Sequence, residues 1–345
     1  MYFRGILGVA GLHASVLQAL LLIAPAVAAD QALIDAARKE GTVTWYTTSI
    51  IDQFVRPAAE AFEKKYGVKV AYARSNAVEM ELRVINEGRA GRVQADIVDG
   101  TTTSIVLKKQ NLVEKWTPAV SLPERYKDPE GFWMASQEYV LTPGYNTDLV
   151  PTGTEPKTWE DLLDPRYKGR MAWNSTPSSS AGQGFVGTVL MEYGEAKARD
   201  YFSKLAKQNI VGIKAAARQV LDQVIAGEYA IALQIFNNHA PISKRRGAPV
   251  GWLKMEPGLA VILPMSLTKG APHPNAGKLL FEFILSEEGQ KIMADSGELP
   301  VLPSVAPRDA DLRPGPGNYR AIYMAPEKLV SDVAAWTKIY DEYFK

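Results

Sequence analysis

The sequence predicts an α/β protein of two lobes, each a largely parallel sheet wrapped by helices. Three observations point there. β-rich runs alternate with amphipathic helical spacings along residues 43–103, a second such series occupies 170–236, and 345 residues suit two ordinary domains, each with its own core.

The elements follow in order. Val43 to Tyr46 is a β-rich run ending in Thr47-Thr48-Ser49, and 55–66 carries apolar residues at helical spacing up to Gly67. Val68 to Tyr72 is a second strand, Val78 to Ile85 a second helix, and Ala95 to Val98 a third strand running into Asp99-Gly100-Thr101-Thr102-Thr103. Around Val140 to Leu149 the pattern becomes extended, and the turn-rich segment 151–156 marks a crossing between lobes. Arg170 to Trp173, the Ser-rich loop 175–180, helices over 182–193, 196–206 and 216–226, and a strand over 229–236 form the second series. The extended run 259–265 and a helix over 276–294, opened by Pro274, read as a return to the first lobe. The Pro/Gly-rich stretch 313–317 then leads to a final helix near 327–344. The expected division is an export segment at 1–28, one lobe from 29–138 and 264–310, the other from 139–263, and a C-terminal helical segment, 311–345, assigned to neither.

Composition narrows the function. Lys and Arg number 39 against 38 Asp and Glu, a net charge of +1, so no whole-molecule field attracts nucleic acid or anionic lipid. Charged residues at 22% with 46% hydrophobic residues exclude a disordered chain. Met1 to Arg4 is positively charged, Gly5 to Val27 is mostly apolar, and Ala26-Val27-Ala28 is a small-x-small site, the pattern of a secretory signal cleaved near Ala28. His13, Ser15, Gln18 and Pro25 interrupt the apolar run and argue against a retained anchor. Cysteine is absent, which removes lipid tethering through Cys, disulfides and thiolate metal sites. After cleavage only His239 and His273 remain as imidazoles, so a three-His metal site cannot form in one chain. No Gly-x-Ser-x-Gly elbow occurs, and no cofactor signature stands up to its context. Gly182-Gln183-Gly184-Phe185-Val186-Gly187 fits the dinucleotide fingerprint, but seven residues, 174–180, separate it from its strand where that fingerprint needs a tight turn. Close backbone packing is the better reading of those glycines.

Several segments together carry a resemblance: Val43-Thr44-Trp45-Tyr46, Ala95-Asp96-Ile97-Val98, the run Thr158-Trp159-Glu160-Asp161-Leu162-Leu163-Asp164-Pro165-Arg166-Tyr167-Lys168-Gly169, Gly227-Glu228, the Pro274 helix and Ser286-Glu287-Glu288-Gly289-Gln290. With them the chain is similar to the periplasmic binding proteins of ATP-driven (ABC) importers, in the branch of ferric-ion-binding proteins and binders of phosphonates, sugar phosphates and thiamine. The resemblance implies the type II fold, two lobes joined by two hinge strands with a ligand cleft between them, closure on a small solute, and the importer's membrane permease subunits as partners. Where ferric-binding relatives place a His, a Glu and a Tyr-Tyr pair, this chain has Ile50, Thr101 and, depending on a two-residue gap, Asn237-Asn238 or His239-Ala240. These supply few of the anionic oxygens that Fe³⁺ requires.

The anion side of such a site is better represented. The family places an anion on amides and hydroxyls equivalent to the stretch Ser175 to Ala181, which makes Ser179, Ser180 and Ala181 candidates at a helix start; an ordinary N-cap in a Ser-rich turn is the alternative. Arg218 opens a helix just after a strand, and a guanidinium holds carboxylate or phosphate by two parallel bonds. Arg74 is a second candidate of that kind. Thr47, Thr48, Ser49, Thr101 and Thr102 would line the first lobe's wall with hydroxyls, and Asn237, Asn238 and His239 would read polar edges from the second, His239 adding a pH response. Trp133 and Tyr139 would stack on a ring if they are not core, and Lys244-Arg245-Arg246 reads as a solvated face or a permease contact. The expectation is a monomeric periplasmic receptor for a small anionic organic solute (carboxylate, phosphonate or sugar phosphate), not an enzyme, without cofactor or nucleic-acid partner. A ferric-ion or ferric-chelate binder and a secreted hydrolase using His239 are the rivals.

Overall fold

The structure, a computed structural model, describes residue 1, residues 30–176 and residues 180–345, so the export segment expected at 1–28 falls, apart from Met1, outside the described residues.

In the first lobe α1 (Gln31–Glu40), β1 (Thr42–Thr47), α2 (Arg56–Tyr66), β2 (Lys69–Arg74), α3 (Ala77–Arg89), β3 (Ile97–Asp99), α4 (Thr103–Lys109) and β4 (Val113–Glu114) reproduce the alternation seen in the sequence. β2, β1 and β3 pair in parallel. The long strand β5 (Met134–Asn146) leads on to β6 (Met171–Asn174), α5 (Ser180–Ala206), β7 (Val211–Ile213), α6 (Ala217–Ile225), β8 (Ile231–Phe236), α7 (His239–Lys244) and β9 (Val250–Trp252). Here β8, β6 and β7 form a second parallel set. A second long strand, β10 (Gly258–Thr268), precedes α8 (Pro274–Leu285), α9 (Glu287–Ser296), β11 (Leu299–Pro300), β12 (Ala321–Met324) and α10 (Pro326–Phe344).

The two parallel sets are joined through β5 and β10, which pair antiparallel with each other and sit between β3 and β8 in the sheet order β2-β1-β3-β10-β5-β8-β6-β7. They are the hinge strands. Their ladder shifts register between Leu263 and Pro264, where proline has no N–H to donate and an irregularity is the expected outcome. One large buried cluster, with Trp45, Phe54, Phe62, Ile97, Phe281 and Phe283, packs the first parallel set against α2 and α8. Another, with Trp159, Trp173, Phe185, Phe202 and Leu233, packs the second set against α5.

Two elements differ from the sequence reading. The helix expected over 276–294 is two helices, because Ser286 adopts φ −69°, ψ 163° and its side chain accepts from Gly289 N. The C-terminal segment, left unassigned, places Leu329, Val333, Trp336 and Tyr340 of α10 in the second core, with the Tyr340 ring 4.7 Å from that of Trp173. At its other end, α10 accepts a bond from Trp133 Nε1 on Glu327, 3.2 Å, so it touches both lobes. The helices expected over 182–193 and 196–206 meet at Gly194, whose φ of 73° and ψ of 165° break α5 where an L side chain would be strained.

Candidate functional site

The carboxyl ends of β1 and β3 face the hinge. Asp99 closes β3, is buried, and accepts from Trp45 Nε1 at 2.8 Å, Thr47 Oγ1 at 2.6 Å, Thr48 N at 2.8 Å and Thr48 Oγ1 at 3.1 Å. Burial pushes its carboxyl up against the pull of these bonds. Thr47 is fully buried and its oxygen also accepts from Ser49 N at 3.0 Å, so its hydroxyl is committed to the protein and not to the crevice as the sequence suggested. Thr48 is half-buried, and Thr102, also half-buried, donates to Glu81 Oε1 at 2.7 Å. Thr101 is half-buried beside it.

From Ser49 a line of contacts crosses to the other lobe. Gln137 Nε2, on β5, donates to Ser49 Oγ at 3.0 Å and to Tyr139 Oη at 2.5 Å. The Tyr139 ring lies 4.7 Å from that of Phe236, and Phe236 meets His239 edge to face at 5.5 Å. Tyr139 thus belongs to the second core and Trp133, 2% exposed, to the first.

Two cations flank this line from opposite lobes. Arg218, a third exposed, donates through Nε at 3.0 Å to Asp222 one turn along α6, and its Nη2 lies 2.9 Å from the same oxygen. Arg74 is exposed and its Nε donates to Thr48 O at 3.4 Å; among the described residues no carboxylate pairs with it. Both act on His239: burial first, then Arg218 and Arg74, lower its pKa to about 3. His239 is therefore neutral throughout the physiological range, which corrects the pH response expected of it. Asn237 is also turned to the fold, donating to Leu312 O at 2.8 Å and Tyr319 Oη at 3.1 Å. Asn238 donates to the buried carboxyl of Glu298 at 2.9 Å.

At the start of α5, Ser179 and the side chains of Ser180 and Ala181 lie outside the described residues. Ser175 and Thr176 precede it half-buried, with Thr176 N donating to Asn174 Oδ1 at 2.7 Å. Gly182 packs on the strand it follows: a Cβ there would stand 2.1 Å from the Asn174 carbonyl oxygen. Gly182→Ala is expected to lose about 1–3 kcal/mol of stability, because backbone must move to admit the methyl. Urea denaturation checks this, and an unchanged midpoint would show that the helix start gives way freely.

Sequence reasoning missed Asp99, Gln137 and Glu298. The one available signal, for Gln137, was Ser136-Gln137-Glu138, three consecutive polar residues inside a strand buried along nearly all its length. Among the described residues no three His or carboxylate groups cluster to hold a metal, and no serine hydroxyl bonds either imidazole. His273 instead pairs with Asp96 at 3.0 Å.

A family model described as bacterial extracellular solute-binding protein matches residues 94–318. A putative 2-aminoethylphosphonate-binding periplasmic protein of Salmonella paratyphi A is 25% identical over 88% of this chain and 84% of its own length. Among solved structures, the periplasmic binding protein AfuA of Actinobacillus pleuropneumoniae, with fructose-6-phosphate bound, aligns with a TM-score of 0.71 and 23% identity over 88% of this chain and 98% of that one. Iron-bound HitA of Pseudomonas aeruginosa aligns with a TM-score of 0.70 and 22% identity over 86% and 98%. These two show the fold, the type II two-lobed architecture with paired hinge strands expected from the sequence.

Proposed function

This chain belongs to the bacterial extracellular solute-binding proteins, and we propose that it captures a small organic anion in the crevice between its lobes and delivers it to the membrane subunits of an ABC importer. The anion is a carboxylate, phosphonate or sugar phosphate. The observation that carries this reading is the pair of guanidinium groups, Arg74 and Arg218, which come from opposite lobes and both raise the potential at His239. An anion held between them stabilises the closed form, since it touches both halves.

Magnitudes favour the exchange. Arg218 gives up an exposed i,i+4 pair with Asp222, worth about 0.3–0.5 kcal/mol, for charge-assisted bonds to the solute of about 1.5–3 kcal/mol each. Micromolar capture needs about 8 kcal/mol. The two arginines supply the charge-assisted part of it, and burial of the solute between the lobes the rest, net of ordering costs. His239 stays neutral and Asn237 serves the fold. The apolar leader at 1–28, removed near Ala28, exports a monomeric receptor to the periplasm. The names of several relatives refer to iron, but Ile50, Thr101, Asn237 and Asn238 offer Fe³⁺ no anionic oxygen.

A thermal-shift series with 2-aminoethylphosphonate, fructose-6-phosphate, simple dicarboxylates and ferric citrate tests the reading. At least one organic anion is expected to raise the melting temperature by several degrees at ~100-fold excess over its Kd, equivalent to about 2.7 kcal/mol. A shift with ferric salts alone, accompanied by visible colour, would replace the reading with iron binding.

A further inference from the structure

Glu298 immediately precedes β11, and Asn238 lies just beyond β8. These two strands pair with β5 at successive positions, β8 with Leu141 to Tyr145 and β11 with Gln137 and Glu138. Glu298 and Asn238 therefore meet beside the hinge, where the segment after α9 abuts the turn that opens α7. Both are 1% exposed, and Asn238 Nδ2 donates to Glu298 Oε2 at 2.9 Å. The oxygens left over, Glu298 Oε1 and Asn238 Oδ1, are both buried and both lack a partner among the described residues. A carboxylate oxygen and an amide oxygen are acceptors only, so an ionised Glu298 leaves two buried acceptors without donors. One proton carried on Oε1 makes that oxygen a donor, and Oδ1 is the unpaired acceptor on the amide that already bonds the same carboxyl.

We propose that Glu298 is a neutral acid near neutral pH and forms with Asn238 a proton-dependent clasp at the hinge, so that lobe closure takes up a proton.

The groups around it offer no substitute for that proton. Arg245, at the end of α7, packs its guanidinium on Gly297 but pairs with Asp309 at 2.8 Å. His239, on α7, is neutral. On β5, burial holds the Tyr139 phenol in its neutral form, and Glu138 accepts from Tyr126 at 2.5 Å and from Tyr323 at 3.0 Å. Asp99 and Arg74 also act on Tyr139, but Asp99 adds only negative charge, and Arg74 has no direct contact with Glu298 among the described residues. Burial without a cation raises Glu298 to about 8, moderated by the Asn238 bond.

The sign follows from linkage. In an opened, wetted hinge the carboxyl returns toward its ordinary value of ~4.3, so between that value and about 8 the closed form holds the extra proton. Closure is complete in this respect at low pH and weakens, by at most ~10-fold per pH unit, as pH rises toward the upper value. The clasp operates whichever solute the crevice takes.

Small-angle X-ray scattering of the ligand-free protein at about pH 5.5 and pH 9 tests it, comparing wild type with Glu298→Gln, whose amide supplies the second donor at every pH. The wild type is expected to expand at high pH and the Gln variant to keep its radius of gyration. A wild type that does not expand, or an expansion that the Gln variant shares, overturns the clasp. If the Gln variant fails to fold, ¹³C carboxyl NMR of glutamate-labelled wild type takes its place. A glutamate resonance with its midpoint near pH 8 supports the clasp, and the absence of any midpoint above pH 7 overturns it.

Discussion

Asp99→Ala is expected to lower folding stability by about 2–5 kcal/mol. The carboxylate gathers the Trp45 indole N–H, the Thr48 amide and the hydroxyls of Thr47 and Thr48 at the end of β3. The two hydroxyls can rotate to other acceptors, but the two N–H donors are fixed, and each buried donor left unpaired costs about 1–3 kcal/mol. Relief of burying the carboxyl itself offsets part of this. Asp99→Asn keeps the shape yet turns an NH₂ toward donors, so it recovers only a fraction. Chemical denaturation at neutral pH measures both. A loss below about 0.5 kcal/mol for the Ala variant would mean that the first lobe's loop is not organised by this residue, and the placement of Thr48 would need another cause.

The second large effect is on affinity. Arg74→Ala and Arg218→Ala are each expected to weaken the anion identified by thermal shift by at least ~10-fold, the loss of one charge-assisted hydrogen bond. Both side chains are substantially exposed, so stability should stay within ~0.5 kcal/mol of wild type. Because one arginine ends β2 and the other opens α6, a double variant should lose more than either single variant, and any departure from the sum measures their coupling through the shared solute. Isothermal titration calorimetry decides. An affinity unchanged in one variant removes that arginine from the site, and unchanged in both removes the electrostatic basis of the proposed capture.

Much of the fold was readable because strand and helix periodicities differ and because glycine and proline punctuate them. β1 to β3 emerge from short β-branched and aromatic runs, and the break at Gly194 separates two amphipathic stretches. The break at Ser286 was missed because the apolar spacing continues across it and only the serine's capping bond reveals the new helix. For α10, periodicity showed a face to be buried but not what buries it; Trp173, far away in sequence, settles that.

The site was less legible. Polar loops beyond strand ends can be located from the alternation alone. What each side chain does there depends on the partner that folding brings to it. Thr47 looks like a free hydroxyl until Asp99, 52 residues later, takes it. Nothing in the sequence sets Asp99 or Glu298 apart from the solvated acids that such residues usually are. Burial, which makes one an organising acceptor and the other a candidate clasp, is a property of the packed protein.

Native mass spectrometry of the undenatured protein, mixed with the same series of organic anions and with ferric citrate, puts the whole reading at risk. The expected result is a 1:1 adduct with one organic anion, lost on acid unfolding and strongly depleted in the Arg74→Ala/Arg218→Ala double variant. A protein that retains only iron, or that takes up no organic anion at all, would contradict it.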